Sequence, residues 1–353
     1  MSPASIAPLL TRALEARSSW IDAGHESAFR AFNGFHEGEP GLAVDVYGTT
    51  AVIHDYAEPP EDGGERVREA GAVVRAVYPW IRCALVKTRS GATSQQRRGE
   101  VLFGGTPDVR VTEHGVLYAI DLTMNRDASL YLDTRHLRRW ALDHLAGARV
   151  LNTFAYTGSL GVAALAGGAA RVVQLDLNRR FLDLARRSCA LNGLDPRAHE
   201  ILCGDFFPRI SHLKRSDQRF DCVFLDPPFF ATTPRGTVDL ENNIARLINK
   251  VRPLVEDGGW LVVVNNALYV SGVEFMATIN ELAADGYLAL EAMVPVPEDF
   301  TGFPSTRTGT HVTDPAPFNH ATKIAVLRVR RKDATRAPTA PGSADEAGAA
   351  GAR

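Results

Sequence analysis

Residues 149–161 read RVLNTFAYTGSLG, and this stretch decides the fold. An apolar pair, Val150 and Leu151, ends in Asn152 and Thr153, and a turn bearing Gly158 and Ser159 opens a run of small residues suited to a helix over 160–166. A short apolar strand that passes through a glycine turn into a helix is the opening unit of a doubly wound α/β sheet. The same rhythm repeats downstream. Strands are predicted over 171–176, 200–203, 221–225, 260–264, 287–294 and 323–330, with helices over 134–145, 179–192, 238–255 and 273–285 between them. Contiguous apolar strands alternating with helices imply an α/β, Rossmann-like sheet, mostly parallel and covered on both faces. The two late strands, parted by an irregular loop over 295–322, predict an antiparallel edge.

Upstream, residues 4–32 carry apolar residues near helical spacing (Ile6, Leu9, Leu10, Leu14, Trp20) and predict one helix. Strands follow over 42–47 and 50–56 around Gly48, then a helix over 61–78 stopped by Pro79, a strand over 81–87, an irregular polar stretch after it, and a hairpin around Gly115. The expected organisation is an N-terminal helix (1–28), a small α+β domain (29–118), a connecting hairpin and helix (119–146), the α/β domain (147–332) and a disordered tail (333–353), which is poor in apolar bulk.

The chain has 353 residues, 45% apolar, with a net charge of −2. No apolar run is long enough for a membrane helix, and the first residues lack the basic start and apolar core of a secretory signal. The four cysteines, Cys83, Cys189, Cys203 and Cys222, show neither metal-ligand spacing nor a disulfide pattern, so no metal and a cytoplasmic location are expected. Near-neutral charge excludes a purely electrostatic polyanion binder.

The strand ends carry the chemistry. Asp176 closes the second strand, where a carboxylate can accept two hydrogen bonds from a ribose diol. The third strand ends in Gly204-Asp205, a further carboxylate suited to an adenine amino group. The glycine turn is not G-x-G-x-x-G, which favours a nucleoside cofactor without a pyrophosphate. The fourth strand ends Asp226-Pro227-Pro228-Phe229-Phe230. Two prolines stiffen the turn. A carboxylate, the Pro227 carbonyl and an aromatic face are what methyl transfer to a flat nitrogen requires, because they orient the lone pair and stack the base.

These motifs resemble the class I S-adenosylmethionine-dependent methyltransferases, in particular the bacterial 23S rRNA enzymes that make 5-methylcytosine or N7-methylguanine. Asn33-Gly34, residues 37–45, Tyr47-Gly48 and residues 125–135 (NRDASLYLDTR) extend the resemblance upstream. It implies S-adenosyl-L-methionine as cofactor and RNA as substrate, with Tyr131, Asp133 and Arg135 closing over the cofactor. By the same resemblance Asn152, Tyr156, Gly158, Ser159, Asp176, Leu177, Asp205 and Asp226 line its pocket. Cytosine-C5 chemistry needs a cysteine nucleophile, which those members carry after the fifth strand. Here that stretch is Val264-Asn265-Asn266-Ala267-Leu268, similar to the guanine-N7 members.

The expected reaction is therefore direct transfer to a base nitrogen, with Asp226, Pro227 and Phe229 as catalytic residues. Two other functions share the sequence features: methylation of a small molecule, and an RNA-binding module without turnover. Candidate RNA contacts are Lys87, Arg89, Arg97, Arg98, Arg126, Arg135, Arg138 and Arg139. His320, in the late loop, is weighed as a base or substrate contact against a surface histidine. Sequence leaves the oligomeric state open.

Overall fold

The computed structural model describes residues 5–331; the tail predicted over 333–353 lies outside them. The chain first builds a five-stranded sheet from β1 (Ala28–Asn33), β2 (Leu42–Tyr47), β3 (Thr50–Asp55), β4 (Cys83–Thr88) and β5 (Glu100–Gly104), paired in that order. β3 and β4 are parallel and the other pairs antiparallel. A parallel pair needs a crossover, and α3 (Gly64–Val77) supplies it. Together with α1 (Ala7–Ala16) it covers one face: Leu10, Leu14, Val67 and Val74 pack on Phe29, Val44 and Ile53. The short α2 (Gly34–Glu37) and α4 (Ser94–Arg98) and the hairpin of β6 (Arg110–Glu113) and β7 (Val116–Ala119) complete this half.

α5 (Arg135–His144) leads into a seven-stranded sheet. Its strands are β8 (Arg149–Thr153), β9 (Arg171–Asp176), β10 (His199–Cys203), β11 (Phe220–Leu225), β14 (Val255–Asn265), β15 (Leu288–Met293) and β16 (Lys323–Val329), and their order is β10-β9-β8-β11-β14-β16-β15. Strands β10 to β14 in that order run parallel, and β16 runs against both its neighbours. The reversed strand thus sits one place in from the edge, which β15 occupies. Because the sheet is covered on both faces, alternate residues enter two cores: Val150, Cys222 and Phe224 on one side, Leu151, Val223 and Leu225 on the other. The covering helices are α6 (Ser159–Ala166), α7 (Arg179–Leu191), α8 (Phe206–Arg215), α9 (Ile244–Val251) and α10 (Gly272–Ala283); α11 (Glu298–Thr301) lies in the late loop.

Two predicted helices are corrected. The helix expected over 4–32 stops at Ala16, because the Asp22 carboxylate takes the backbone N–H groups of Gly24, Glu26 and Ser27 and turns the chain into β1. Pairing with β2 then overrides the apolar periodicity. The helix expected over 238–255 begins only at Ile244. Before it, Pro234-Arg235 turns a hairpin of β12 (Phe230–Thr233) and β13 (Gly236–Asp239), rich in β-branched residues.

Candidate active site

Strand order reverses between β8 and β11: the chain moves from β8 through β9 to β10 on one side, then returns to β11 and β14 on the other. Ligands of open α/β sheets bind at such a switch point, outside the carboxyl ends of the strands. A cavity of about 380 Å³ opens there, within the ordinary range for small-molecule sites. Its wall contains ten predicted residues: Tyr131, Asp133, Asn152, Tyr156, Ser159, Asp176, Leu177, Asp205, Asp226 and Pro227. Three others, Arg135, Gly158 and Phe229, are not on it.

The β8–α6 turn is built under strain. Phe154 and Tyr156 both adopt left-handed backbone, at φ 54° and 51°, a conformation that side-chain-bearing residues seldom take without support. Support comes from the next strand: Ala155 N–H donates to the Leu175 carbonyl and Tyr156 N–H to Asp176 Oδ2, each at 2.8 Å. Gly158, which is not on the cavity wall, answers a packing need. A Cβ there would lie 2.4 Å from the Ala185 methyl and 2.9 Å from Gln174 Nε2, and its φ is +75°.

Asp176 is not the cap of the helix it precedes, since Asn178 fills that position. Its two oxygens accept one N–H each, from Tyr156 and from Asn178, which orients the carboxylate and leaves outward lone pairs on both oxygens for a diol. Burial holds its carboxyl above the usual carboxylate range. Asp205 does cap α8, through Oδ1 to Phe207 N–H at 2.8 Å, and Oδ2 has no partner among the described residues. Leu177, 64% exposed, offers an apolar ledge between them. Asn152 donates to Gln174 Oε1, while its own Oδ1 is buried without a partner. These groups fit S-adenosylmethionine: carboxylates with open lone pairs, on Asp176 and Asp205, suit a ribose diol and an adenine amino group, with apolar Leu177 between them.

Asp226 differs from the other carboxylates. No hydrogen bond to it is made by any described residue, and burial, aided by the Asp133 carboxylate, pushes its pKa up to about 7. Asp133 is itself held by the Thr322 hydroxyl at 2.8 Å. A carboxyl whose folded pKa lies above its unfolded value stabilises the fold fully only below the unfolded value, and that contribution is lost as pH rises through about 7. Asp226→Asn is accordingly expected to melt above wild type at about pH 8, with the gap shrinking toward about pH 5 in differential scanning fluorimetry. A constant gap across that interval contradicts the shifted carboxyl.

The rest of the wall comes from residues that sequence reasoning passed over. Asn125 and Asp127 sit within the NRD motif yet were not singled out, although each receives a tyrosine hydroxyl, Tyr156 at 3.2 Å and Tyr131 at 3.0 Å. Ala231, Thr233, Gly236 and Val238 belong to the β12–β13 hairpin, of which only Val238 falls within the predicted helix and the rest carry no prediction. Phe154 and Phe206 stack at 4.4 Å on one side. Phe229 stands outside, 44% exposed, with its carbonyl accepting Leu240 N–H.

Arg135 is a correction. It is buried and grips Asp299 through both terminal nitrogens at 2.9 and 3.0 Å, so it holds the fold together instead of the cofactor. Two more candidate RNA contacts are also interior. Arg138 is paired bidentately with Glu113, and Lys87 is fully enclosed. His320 packs beside His36, His311 and Phe300, and its pKa is pressed down to about 3, chiefly by burial. None of the four cysteines is on the cavity wall. Among the described residues no His, Cys, Asp or Glu cluster is arranged to hold a metal, and no helix is long and apolar enough to cross a membrane.

Known proteins share this architecture. The profile of a family described as S-adenosylmethionine-dependent methyltransferase matches residues 89–301. A Bacillus subtilis (strain 168) protein, provisionally named ribosomal RNA large subunit methyltransferase YwbD, is 31% identical over 304 residues, 82% of this chain and 74% of that one. Ribosomal RNA large subunit methyltransferase K/L of Marinobacter nauticus is 32% identical over 65% of this chain, which spans only 32% of that protein. Methyltransferase I of Aeromonas salmonicida is 33% identical over 63% of this chain and 56% of its own length. Among solved structures, SMU.776, provisionally named a methyltransferase and complexed with SAH, superposes with a TM-score of 0.79 at 22% identity, over 93% of this chain and 83% of its own. With a family profile across most of the chain and a relative above 30% identity over four-fifths of it, the protein is a member of the S-adenosylmethionine-dependent methyltransferase family and uses that cofactor.

Proposed function

We propose that this enzyme methylates a base nitrogen in RNA, most specifically in 23S rRNA, by direct transfer. The observation that carries the reading is Asp226: a carboxylate without a protein partner, next to a rigid Pro227–Pro228 corner, in a cavity whose wall bears no thiol. The relatives' names as large-subunit rRNA methyltransferases support the substrate class.

When bound, the cofactor supplies a methyl group made electrophilic by its sulfonium. Asp226 and the Pro227 carbonyl hold the acceptor so that the nitrogen lone pair points along the C–S bond. Phe229, exposed just beyond the wall, stacks the incoming base. The N–C bond forms as the C–S bond breaks and its electron pair goes to sulfur. Where the acceptor nitrogen carries a proton, ionised Asp226 receives it. Activity then rises with pH through about 7, because only the ionised carboxylate accepts.

The decisive test is mass spectrometry of 23S rRNA nucleosides from cells with and without the protein. Loss of one methylated base, restored by purified enzyme and labelled cofactor, is the expected result; an unchanged nucleoside profile refutes the rRNA assignment. With Lys87, Arg135 and Arg138 interior, Arg98 and Arg126 are exposed basic residues flanking the cavity's outer edge. The double variant Arg98→Ala/Arg126→Ala is expected to weaken RNA binding and to reduce the slope of log affinity against log salt by roughly 0.7 per lost contact, measured by fluorescence anisotropy. An unchanged slope moves the RNA to another face.

A further inference from the structure

We propose that Lys87 is a positioning residue for the cofactor cavity, through which the small N-terminal sheet holds the 125–127 edge of the wall in its binding shape. Lys87 lies on β4, is fully enclosed, and does not touch the cavity. Its ammonium donates to three backbone carbonyls: Arg98 at 2.6 Å, Asn125 at 2.8 Å and Asp127 at 3.2 Å. An ammonium has three donors, so all are used. No carboxylate shares in this arrangement by direct contact. Desolvation of the buried charge is thus offset by direct hydrogen bonds to carbonyl oxygens, with Asp127 and Asp121 contributing only at longer range.

The two carbonyls nearest the cavity belong to residues that the ligand-facing tyrosines depend on. Asn125 Oδ1 accepts the Tyr156 hydroxyl and the Asp127 N–H, and Asp127 Oδ2 accepts the Tyr131 hydroxyl. The rings of Tyr131 and Tyr156 lie 5.1 Å apart on the wall. Lys87 therefore fixes two carbonyls, these fix two side chains, and the side chains fix two rings. Arg89 adds an outer clasp by donating to the Arg126 carbonyl and Asp127 Oδ1, but it is part-exposed and screened. Burial lowers the Lys87 pKa to about 8; Asp127 and Asp121 face it and oppose that shift, while Arg89 and Arg98 reinforce it.

This rests on the cavity being the cofactor site, and the test separates the two. Calorimetry with S-adenosylmethionine alone, on the full chain, compares wild type, Lys87→Met and Val74→Ala, the last a core truncation in α3 remote from the cavity. Lys87→Met is expected to raise the cofactor Kd about 10-fold or more, the scale of unpaired buried carbonyls. Its kcat at saturating cofactor stays within about threefold of wild type, since no reacting atom is touched. Wild-type affinity falls as pH passes about 8, and the Met variant lacks that dependence. A Kd within about twofold of wild type overturns the proposal, as does an equal affinity loss in Val74→Ala at matched loss of Tm. Should the Met variant fail to fold, Lys87→Gln, which keeps two donors on a shorter stem, is read by the same criteria. Absence of binding by wild type overturns the cofactor site itself; normal wild-type binding with an unaltered variant overturns only the role of Lys87.

Discussion

Asp226→Asn lowers kcat on RNA by on the order of 10³-fold, while the Kd for S-adenosylmethionine moves by no more than about threefold. The asymmetry follows from what each carboxylate touches. Asp176 and Asp205 are already tied to backbone N–H groups, those of Tyr156 and Asn178 for the first and of Phe207 for the second, and under the proposed function their free lone pairs hold the cofactor. Asp226 has no such tie, and under the proposed mechanism its acceptor capacity is turned on the acceptor base. Asparagine preserves its volume but presents one acceptor and an N–H₂ that points a donor at the substrate nitrogen. It also cannot take a proton. Asp226→Ala is expected to lose as much turnover. Unchanged turnover of either variant, with normal cofactor binding, refutes the role given to Asp226. A parallel loss of cofactor affinity refutes the division of labour among the carboxylates.

Asp299→Ala produces the second large effect, on stability. Asp299 is fully enclosed in α11, and its carboxylate accepts two N–H groups of Arg135 and the Arg30 backbone N–H at 2.8 Å. Its own carbonyl accepts Arg17, which is paired in turn with Glu37. A loop of the methyltransferase half thereby joins β1, α1 and α5. Deleting Asp299 strips the buried Arg135 of its bidentate partner, leaving it only Glu113 at 3.6 Å and the Ala28 carbonyl at 2.9 Å, a cost toward the lower end of the about 3–5 kcal/mol typical of a broken buried pair. A fall in Tm of roughly 4–7 °C is expected by scanning calorimetry. Asp299→Asn, which keeps acceptor capacity but loses the charge, falls between. A Tm within about 2 °C of wild type would show that water reaches Arg135 and that the junction is loose. The same network explains why Arg135 is unavailable to the cofactor: a guanidinium bound bidentately on one side has its fork filled.

The strands β8 to β11 and their polar termini were legible in one dimension. A strand buried on both faces must be a short contiguous apolar run, and its first polar residue marks where the sheet meets ligand. Asn152, Asp176, Asp205 and Asp226 stand at or just beyond the carboxyl ends of such strands, and all four reach the cavity. The hairpin of β12 and β13 was not legible, because four-residue strands pair only in the presence of each other and the flanking sequence also suits a helix.

Sequence by itself determined the parallel sheet and the carboxylates at its tips, since each is set by residues adjacent in the chain. Tertiary structure alone decided which cations face water and which lie inside. Arg135 meets Asp299 across 164 residues and Arg138 meets Glu113 across 25, and an arginine's local sequence is the same whether its partner is a carboxylate or a phosphate. Burial of a charge depends on what folding brings opposite it, and no periodicity encodes that.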